Sequence, residues 1–255
     1  MNNKPLITII TPTFNSEKTI YDNIKSITDQ RYTNWEHIII DNLSSDQTLN
    51  LIQKNINKNM RIISEKDNGI YDAINKGIKL AQGEIISILH SDDIYYDNET
   101  LSKVVETFGK KNTDIVYGDL LYASKYDLNN VIRYWKSGKF SQGLFMLGWS
   151  PPHPSFFVKK KIHNKFGYYN IKIGNPADIE LMYRFLELKK VNSKYIKKVL
   201  IKMRYGGKSN NSIIEIFRQN IRILNFLHLR SPFKIIKFIY FKILDRTLQF
   251  IKTSK

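Results

Sequence analysis

Two adjacent carboxylates, Asp92 and Asp93, stand just past the apolar run Glu84 to His90, in GEIISILHSDD. Like charges so close repel unless a cation lies between them. Hard carboxylate oxygens suit Mg2+ or Mn2+, ions that are commonly shared with substrate phosphates. Acidic residues at a helix start would give the same pattern. Asp41 closes another apolar run and leads into Asn42-Leu43-Ser44-Ser45-Asp46. Such a loop feeds a helix N-terminus, a place for an anion or a ribose, although Asp, Asn and Ser also dominate ordinary turns. Asp178 and Glu180 enter a later helix, where a carboxylate facing a site can act as general base or simply meet the helix dipole. Asp67-Asn68-Gly69 make a turn before a helix whose Asp72, Asn75 and Lys76 read as a solvated polar face. His153, between Pro152 and Pro154, has the chemistry to touch a phosphate or to hold its loop. Gly206-Gly207-Lys208-Ser209 can wrap an anion, on a poor motif.

The elements that must position these groups alternate. Leu6 to Thr11, Glu36 to Asp41, Met60 to Glu65, Glu84 to His90 and Asp114 to Gly118 are short apolar runs of the buried-strand kind. Between them lie helical stripes. Ile20, Ile24 and Ile27 follow Ser16 as an expected N-cap. Leu49, Ile52 and Ile56 follow a Ser44/Gln47 capping-box spacing. Ile70, Ala73, Ile74, Gly77, Ile78 and Ala81 form the clearest stripe, with Gly83 expected to stop it. Leu101, Val104, Val105 and Phe108 make the fourth, closed by Gly109. This order implies an α/β fold with a mostly parallel sheet flanked by helices. Ligands of such sheets bind beyond the strands' carboxyl ends, where Asp41 and Asp92-Asp93 both stand. Later, Leu120 to Tyr122 and Val131 to Trp135 suggest a hairpin, Gly138 to Pro154 a shaped loop, Ile179 to Leu188 a helix and Tyr195 to Met203 a strand.

The 255 residues suffice for one α/β domain with an appendage, and 42% hydrophobic content excludes global disorder. With no cysteine, disulfides and thiolate metal sites are excluded. A secretory signal and a spanning helix are not expected. The net charge of +17 favours anionic partners without choosing among them.

Taken together, PLITIITPTFN, IIIDNLSSDQT, EKDNGIYDAINKGI and GEIISILHSDD resemble, in order and spacing, the first half of family-2 glycosyltransferases with a GT-A fold. PPHPSFF, NPADIELMYRF and RYGGKS fit the subgroup of colanic acid and other surface polysaccharide pathways, so the resemblance spans about residues 4 to 210. It implies a GT-A (Rossmann-like) domain over 1–210, with a nucleotide-sugar half over 1–120 and an acceptor and base half over 121–210. It further implies that Thr11 and Pro12 border the nucleotide pocket, that Asp41 reads base or ribose, and that Asp67 lies at the pocket's edge. His153 is assigned to the same nucleotide-sugar site. Asp93 is implied as the direct ligand of Mn2+ or Mg2+, with Asp92 on the ribose or behind the metal, and Asp178 as catalytic base. The usual Glu-Asp pair is Ala177-Asp178 here, and Asn42 replaces a glycine, a change expected to alter its loop only slightly. The absence of Q-x-x-R-W argues against processive synthesis. One base and one metal imply a single displacement, with inversion, from a nucleoside-diphosphate sugar, a UDP-sugar in the first instance, to a hydroxyl of a glycan or lipid-linked acceptor.

Two other classes of function fit less well. A sugar nucleotidyltransferase needs a glycine-rich basic loop after the first strand, where this chain has Thr11-Pro12-Thr13-Phe14-Asn15. A nucleic-acid-binding protein should interleave aromatic and basic residues on one platform, whereas here acids cluster at strand ends; no nucleic-acid partner is expected. From Ile213 the basic extension 211–255 carries nine Lys or Arg against Glu215 and Asp245. Ile214, Phe217, Ile221 and Leu224 form one apolar stripe, expected to pack on the catalytic domain. Phe233, Ile236, Tyr240, Ile243 and Leu244 form a second, with Lys234, Lys237, Lys242 and Lys252 beside it. Ser231-Pro232 restarts the helix. Such helices suit an anionic membrane interface, or packing on the catalytic domain. With the resemblance, which implies lipid-linked acceptors, they lead to the expectation of a protein held peripherally on the cytoplasmic face of the membrane.

Overall fold

The computed structural model describes residues 4–206 and 213–251. Gly207, Lys208 and Ser209 of the glycine-rich loop, and Lys252, lie outside the described residues. Strand β1 (Ile7–Thr13) is buried throughout and lies between β2 (Trp35–Asp41) and β4 (Ile85–Ile88), parallel to both. β3 (Met60–Ser64) continues the parallel set beyond β2. The two-residue period of a strand divides these isoleucines between two cores. Ile7, Ile9, Ile39 and Ile85 enter one, and Ile10, Ile38, Ile40, Ile86 and Ile88 the other. Each such buried side chain stabilises the fold by ~1.5–3 kcal/mol.

Helices α1 (Ile20–Thr28) and α2 (Thr48–Asn55) cover the first core, with Ile20, Ile24, Ile27 and Ile52 inside it. α3 (Ile70–Leu80) covers the second. Its Gly77 has no room for a side chain, since a Cβ there would overlap Ile10, so α3 rides directly on β1. The helix stops at Leu80 rather than at Gly83, which instead lies against β1; a Cβ on Gly83 would come within 2.6 Å of the Thr8 nitrogen. The expected caps also differ. Ser16 accepts the Thr19 and Ile20 amides through its carbonyl, and its hydroxyl reaches Ser91 at 2.8 Å. The Ser44/Gln47 box does not form, because Asp46 takes the Thr48 amide at 2.9 Å and Ser44 turns back to Asp41.

Past β4 the sheet becomes mixed. β5 (Asp93–Tyr95) and α4 (Thr100–Phe108) lead to β6 (Ile115–Ala123), then to β7 (Val131–Trp135) and β8 (Phe156–Lys159). α5 (Lys160–Phe166), α6 (Ala177–Tyr183, continued by a π-turn at Arg184–Leu188) and β9 (Ser193–Arg204) follow. The strand order is β3-β2-β1-β4-β8-β6-β9-β5, with β7 on β6. β8 runs antiparallel to β4 and β6, while β6 and β9 are parallel. β6 outlasts β8, and its last residues pair with β7 as the expected hairpin. A boundary at residue 120 therefore falls inside β6. The Gly138–Pro154 loop is shaped by 3-10 turns at Leu144–Leu147 and His153–Ser155.

Two C-terminal helices, α7 (Ile213–Phe226) and α8 (Pro232–Ile251), lie against this framework. Phe238 is fully enclosed, and Gln249 accepts the Arg133 Nε–H at 2.7 Å. Arg133 stacks over Tyr122 at 4.7 Å and over Trp135 at 5.3 Å, a cation–π arrangement. The stripe that begins at Ile214 does not pack as expected: Ile214, Phe217 and Ile221 are exposed, and only Leu224 joins the core. Phe233 is 75% exposed, and Ile236, Tyr240, Ile243 and Leu244 also face outward. Inward packing falls to Ile223, Leu227, Leu229 and Phe238. Among the described residues no helix is long and apolar enough to cross a membrane.

Candidate active site

The acidic residues converge at the carboxyl edge of the parallel strands. Asp41 ends β2, fully enclosed, and its carboxylate accepts from the Ser44 amide at 3.0 Å, the Ser44 hydroxyl at 2.5 Å and the Ser64 hydroxyl at 2.7 Å. These bonds fix the carboxylate and leave little acceptor capacity for a ligand. Asn42 joins this loop to the next, its Oδ1 accepting the Asp67 amide at 2.9 Å. Asp67 in turn accepts the Gly69 amide at 2.8 Å, ahead of α3. The residue that replaces a glycine thus ties two of the expected nucleotide-binding loops together.

Thr11 and Pro12 are buried in β1. The Thr11 hydroxyl lies 2.9 Å from His37 Nε2 and 3.4 Å from Asn23 Oδ1, so its side chain supports the strand from inside and does not line a pocket. His37 is held neutral, its pKa pushed down to about 3 by burial. Asn23 belongs to none of the motifs in the sequence. It sits on the apolar stripe of α1, and its amide donates to the carbonyls of His90 at 2.8 Å and Asp93 at 3.0 Å. That clamp sets the turn carrying Ser91, Asp92 and Asp93. Its one sequence signal is a polar residue among Ile20, Ile24 and Ile27, since a buried amide must find partners.

The two adjacent carboxylates are not equivalent. Asp92 is partly exposed and has no hydrogen-bond partner among the described residues. Asp93 opens β5 and is sealed, with both carboxylate oxygens buried and unpartnered. Burial, reinforced by the Asp92 charge and opposed by Arg204, holds the Asp93 carboxyl well above the usual range. A ligand shared with a substrate phosphate must be reachable, and Asp92 is the reachable one. The expected assignment of Asp93 as direct ligand would need its sealed, unpartnered oxygens to meet the ion, whereas Asp92 already faces outward. Among the described residues no three His, Cys, Asp or Glu form a cage. One open carboxylate backed by orphaned buried atoms (Asp93 Oδ1, Oδ2 and His90 Nδ1) suits a cation that completes its shell with substrate oxygens.

Asp178 stands at the start of α6. Its Oδ1 accepts the Ile179 amide at 2.8 Å. Burial raises its pKa, against that amide, a Tyr71 hydrogen bond and the neighbouring His90. His90 feels both Asp92 and Asp178, so both carboxylates are its neighbours. Tyr71 stacks on Tyr169 with centroids 5.5 Å apart. Asn75 pins Tyr169 through two bonds to its backbone, at 2.9 and 3.0 Å. Asn75 is therefore structural, contrary to a solvated polar face. Glu180, the other carboxylate of this helix, is spent on Arg184, whose guanidinium also holds the Phe166, Gly167 and Tyr168 carbonyls. Of the two candidates, only Asp178 is left to take a proton.

His153 is not free to meet a phosphate. It is buried, its Nε2 lies 2.7 Å from the Tyr169 hydroxyl, and burial with neighbouring His90 and His163 keeps it neutral. It supports Tyr169 beneath the site.

Comparison with known proteins agrees with this geometry. Residues 8–164, more than half the chain, match Glycosyl transferase family 2. A PGL/p-HBAD biosynthesis glycosyltransferase of Mycobacterium bovis is 26% identical over 89% of this chain and 88% of its own length. A putative teichuronic acid biosynthesis glycosyltransferase of Bacillus subtilis, TuaG, is 35% identical over 41% of this chain and 42% of its own. Among solved structures, the mannosyltransferase PcManGT from Pyrobaculum calidifontis, in complex with GDP-Man and Mn2+, superposes with a TM-score of 0.66 at 17% identity, covering 96% of this chain and 70% of that one. S. aureus TarS 1–349 with UDP superposes at 0.63 and 18% identity, covering 97% and 73%. The fold is that of the GT-A glycosyltransferases, and the chain belongs to glycosyl transferase family 2.

Proposed function

We propose that the protein transfers a sugar from a nucleoside-diphosphate donor, a UDP-sugar in the first instance, to a hydroxyl of a glycan or lipid-linked acceptor, with inversion. The observation that carries this reading is Asp178: a carboxylate with a raised pKa, free of ion pairs among the described residues, held near His90 and the strand-end acids. The strand-end loops built on Asp41, Asn42 and Asp67 would hold the nucleoside. Asp92 would hold Mn2+ or Mg2+, and the bound ion's chemistry is to neutralise charge on the donor diphosphate. Solved relatives of this fold carry GDP-Man with Mn2+ and UDP-GlcNAc, which supports a nucleotide-sugar donor. Asp178 takes the acceptor proton as the hydroxyl attacks the anomeric carbon from the face opposite the leaving diphosphate. Tyr71 and the Ile179 amide orient the carboxylate, and Tyr169, braced by Asn75 and His153, orients Tyr71. Incubation with a panel of UDP- and GDP-sugars and Mn2+, without acceptor, should release nucleoside diphosphate slowly from one of them. Chelator should stop the release. No release from any donor, together with tight salt-sensitive binding of nucleic acid, would replace this reading with a binding module.

The same protein is proposed to work on an anionic membrane surface at its cytoplasmic face. The outward Ile214, Phe217, Phe233, Ile236 and Tyr240 supply apolar contact, and Lys234 and Lys237 supply charge. Because α8 is anchored through Phe238 and Gln249, removing it would damage the fold, so point changes make the cleaner test. Co-sedimentation with phosphatidylglycerol vesicles should occur at low salt and fall with added salt. Lys234→Gln and Lys237→Gln should each weaken it about fivefold, from ~1 kcal/mol per basic residue, and Phe233→Ser with Ile236→Ser should abolish it. Sedimentation unaffected by all four changes would remove the membrane from this account.

A further inference from the structure

Lys242 is a cation that the reaction outlined above does not use. It lies on the face of α8 that rests on the Gly138–Pro154 loop, so close that a Cβ on Gly148 would come within 2.8 Å of the Lys242 Cβ. Its ammonium donates to Asn220 Oδ1 at 2.8 Å and stands over the Phe238 ring at 5.3 Å. Among the described residues it has no ion pair. Burial brings the amine down to about 8, with Arg246 pushing the same way and Asp178 opposing. The charges that reach it are thus Arg246, one turn on along its own helix, and Asp178 across the site. A half-buried lysine whose hydrogen-bond partner is neutral is costly unless an anion completes it. Arg246, four residues on, lines an open cleft of about 460 Å³ with Ile243, Thr247 and Phe250, so that a ligand reaches its guanidinium from solvent.

We propose that Lys242 and Arg246 form a binding site for a phosphate ester carried by the acceptor. Two cations one turn apart match the charge of a phosphomonoester, about −1.5 to −2 at neutral pH, better than that of a single carboxylate. The acceptor side follows from position. The expected nucleoside loops and Asp92 lie at the strand ends, whereas Lys242 neighbours Asp178 from α8. A group held there sits on the side from which the attacking hydroxyl comes. The proposal rests on Asp178 being the base, and it makes α8 a specificity element, with one face toward the acceptor and the other outward.

The test is calorimetric titration of the full chain with hexyl phosphate, with UDP and Mn2+ saturating so that donor phosphate contacts are occupied. Saturable binding is expected, weakened tenfold or more in Lys242→Met and in Arg246→Ala, while UDP affinity and melting temperature stay unchanged. Lys242→Arg, which keeps its charge, should retain binding at pH 9.5, where the wild type loses it; a packing role would give no such difference. Hexanoate binding as tightly as hexyl phosphate would overturn the phosphate assignment. Loss of UDP affinity instead would give the pair to the donor diphosphate, and loss of vesicle binding alone would give it to lipid headgroups; either overturns the proposal. So does hexyl phosphate binding that ignores both substitutions. Asp178→Asn should abolish turnover yet leave hexyl phosphate binding in place, so the base assignment fails or stands separately.

Discussion

Asp178→Asn is expected to bind donor as the wild type does and to lose turnover by ~10²–10⁴-fold, the usual contribution of a positioned general base. The amide keeps the size and the Oδ1 contact with the Ile179 amide, so donor affinity should not move. A fall in kcat without a fall in donor binding is the signature of a group needed only in the transition state. The pH profile gives an independent check. The base must be unprotonated, and burial raises its pKa. The acid limb of kcat/KM should therefore fall away at a pH above the ordinary carboxylate value, and Asp178→Asn should abolish that limb with the activity. If donor affinity collapses while residual turnover keeps its acid limb, Asp178 is a binding residue and the base lies elsewhere.

The second large effect separates the two adjacent acids. Asp92→Ala should remove the cation's protein ligand and cost several kcal/mol of transition-state stabilisation, about 10³-fold in rate or more. Excess Mn2+ should restore little of it. Asp93→Asn should be far milder, because the carboxyl is sealed away from the open side of the turn and Asn has nearly its shape. Activity and Mn2+ titration of both variants, beside circular dichroism to confirm folding, decide the matter. Should Asp93→Asn abolish the Mn2+ response and Asp92→Ala preserve it, the metal belongs to Asp93 and the β4–β5 turn must open on binding.

The parallel half of the fold is legible in the sequence because its signals are long and periodic. Ile7 to Thr13 and Ile70 to Ala81 state their own conformation through spacing. The strands that spacing does not reveal are β5, with three residues, and β8, with four. Neither is long enough to show a period, and their pairing is set by partners far along the chain. The same limit applies to the site. Residue type locates Asp92, Asp93 and Asp178, but not which oxygen is open, since that depends on Asn23 folding the β4–β5 turn inward. The preference for Asp178 over Glu180 at the start of α6 likewise rests on a contact that residue type does not show, Arg184 pairing with Glu180. Tyr71 and Lys242 carry no local mark: one reads as helix surface, the other as part of a basic stripe.

β6 has a consequence for how such enzymes diversify. It pairs with β8, β7 and β9, so it is held at once by strands from three later parts of the chain. A crossover at residue 120, the expected boundary between the two halves, would join half-strands from different parents in mid-ladder, next to the register shift at Gly118 and Asp119. Chimeras that exchange the part of the chain after β6 are expected to fold only when β6 comes whole from one parent, whereas an exchange within the loop between β7 and β8 leaves the ladder intact.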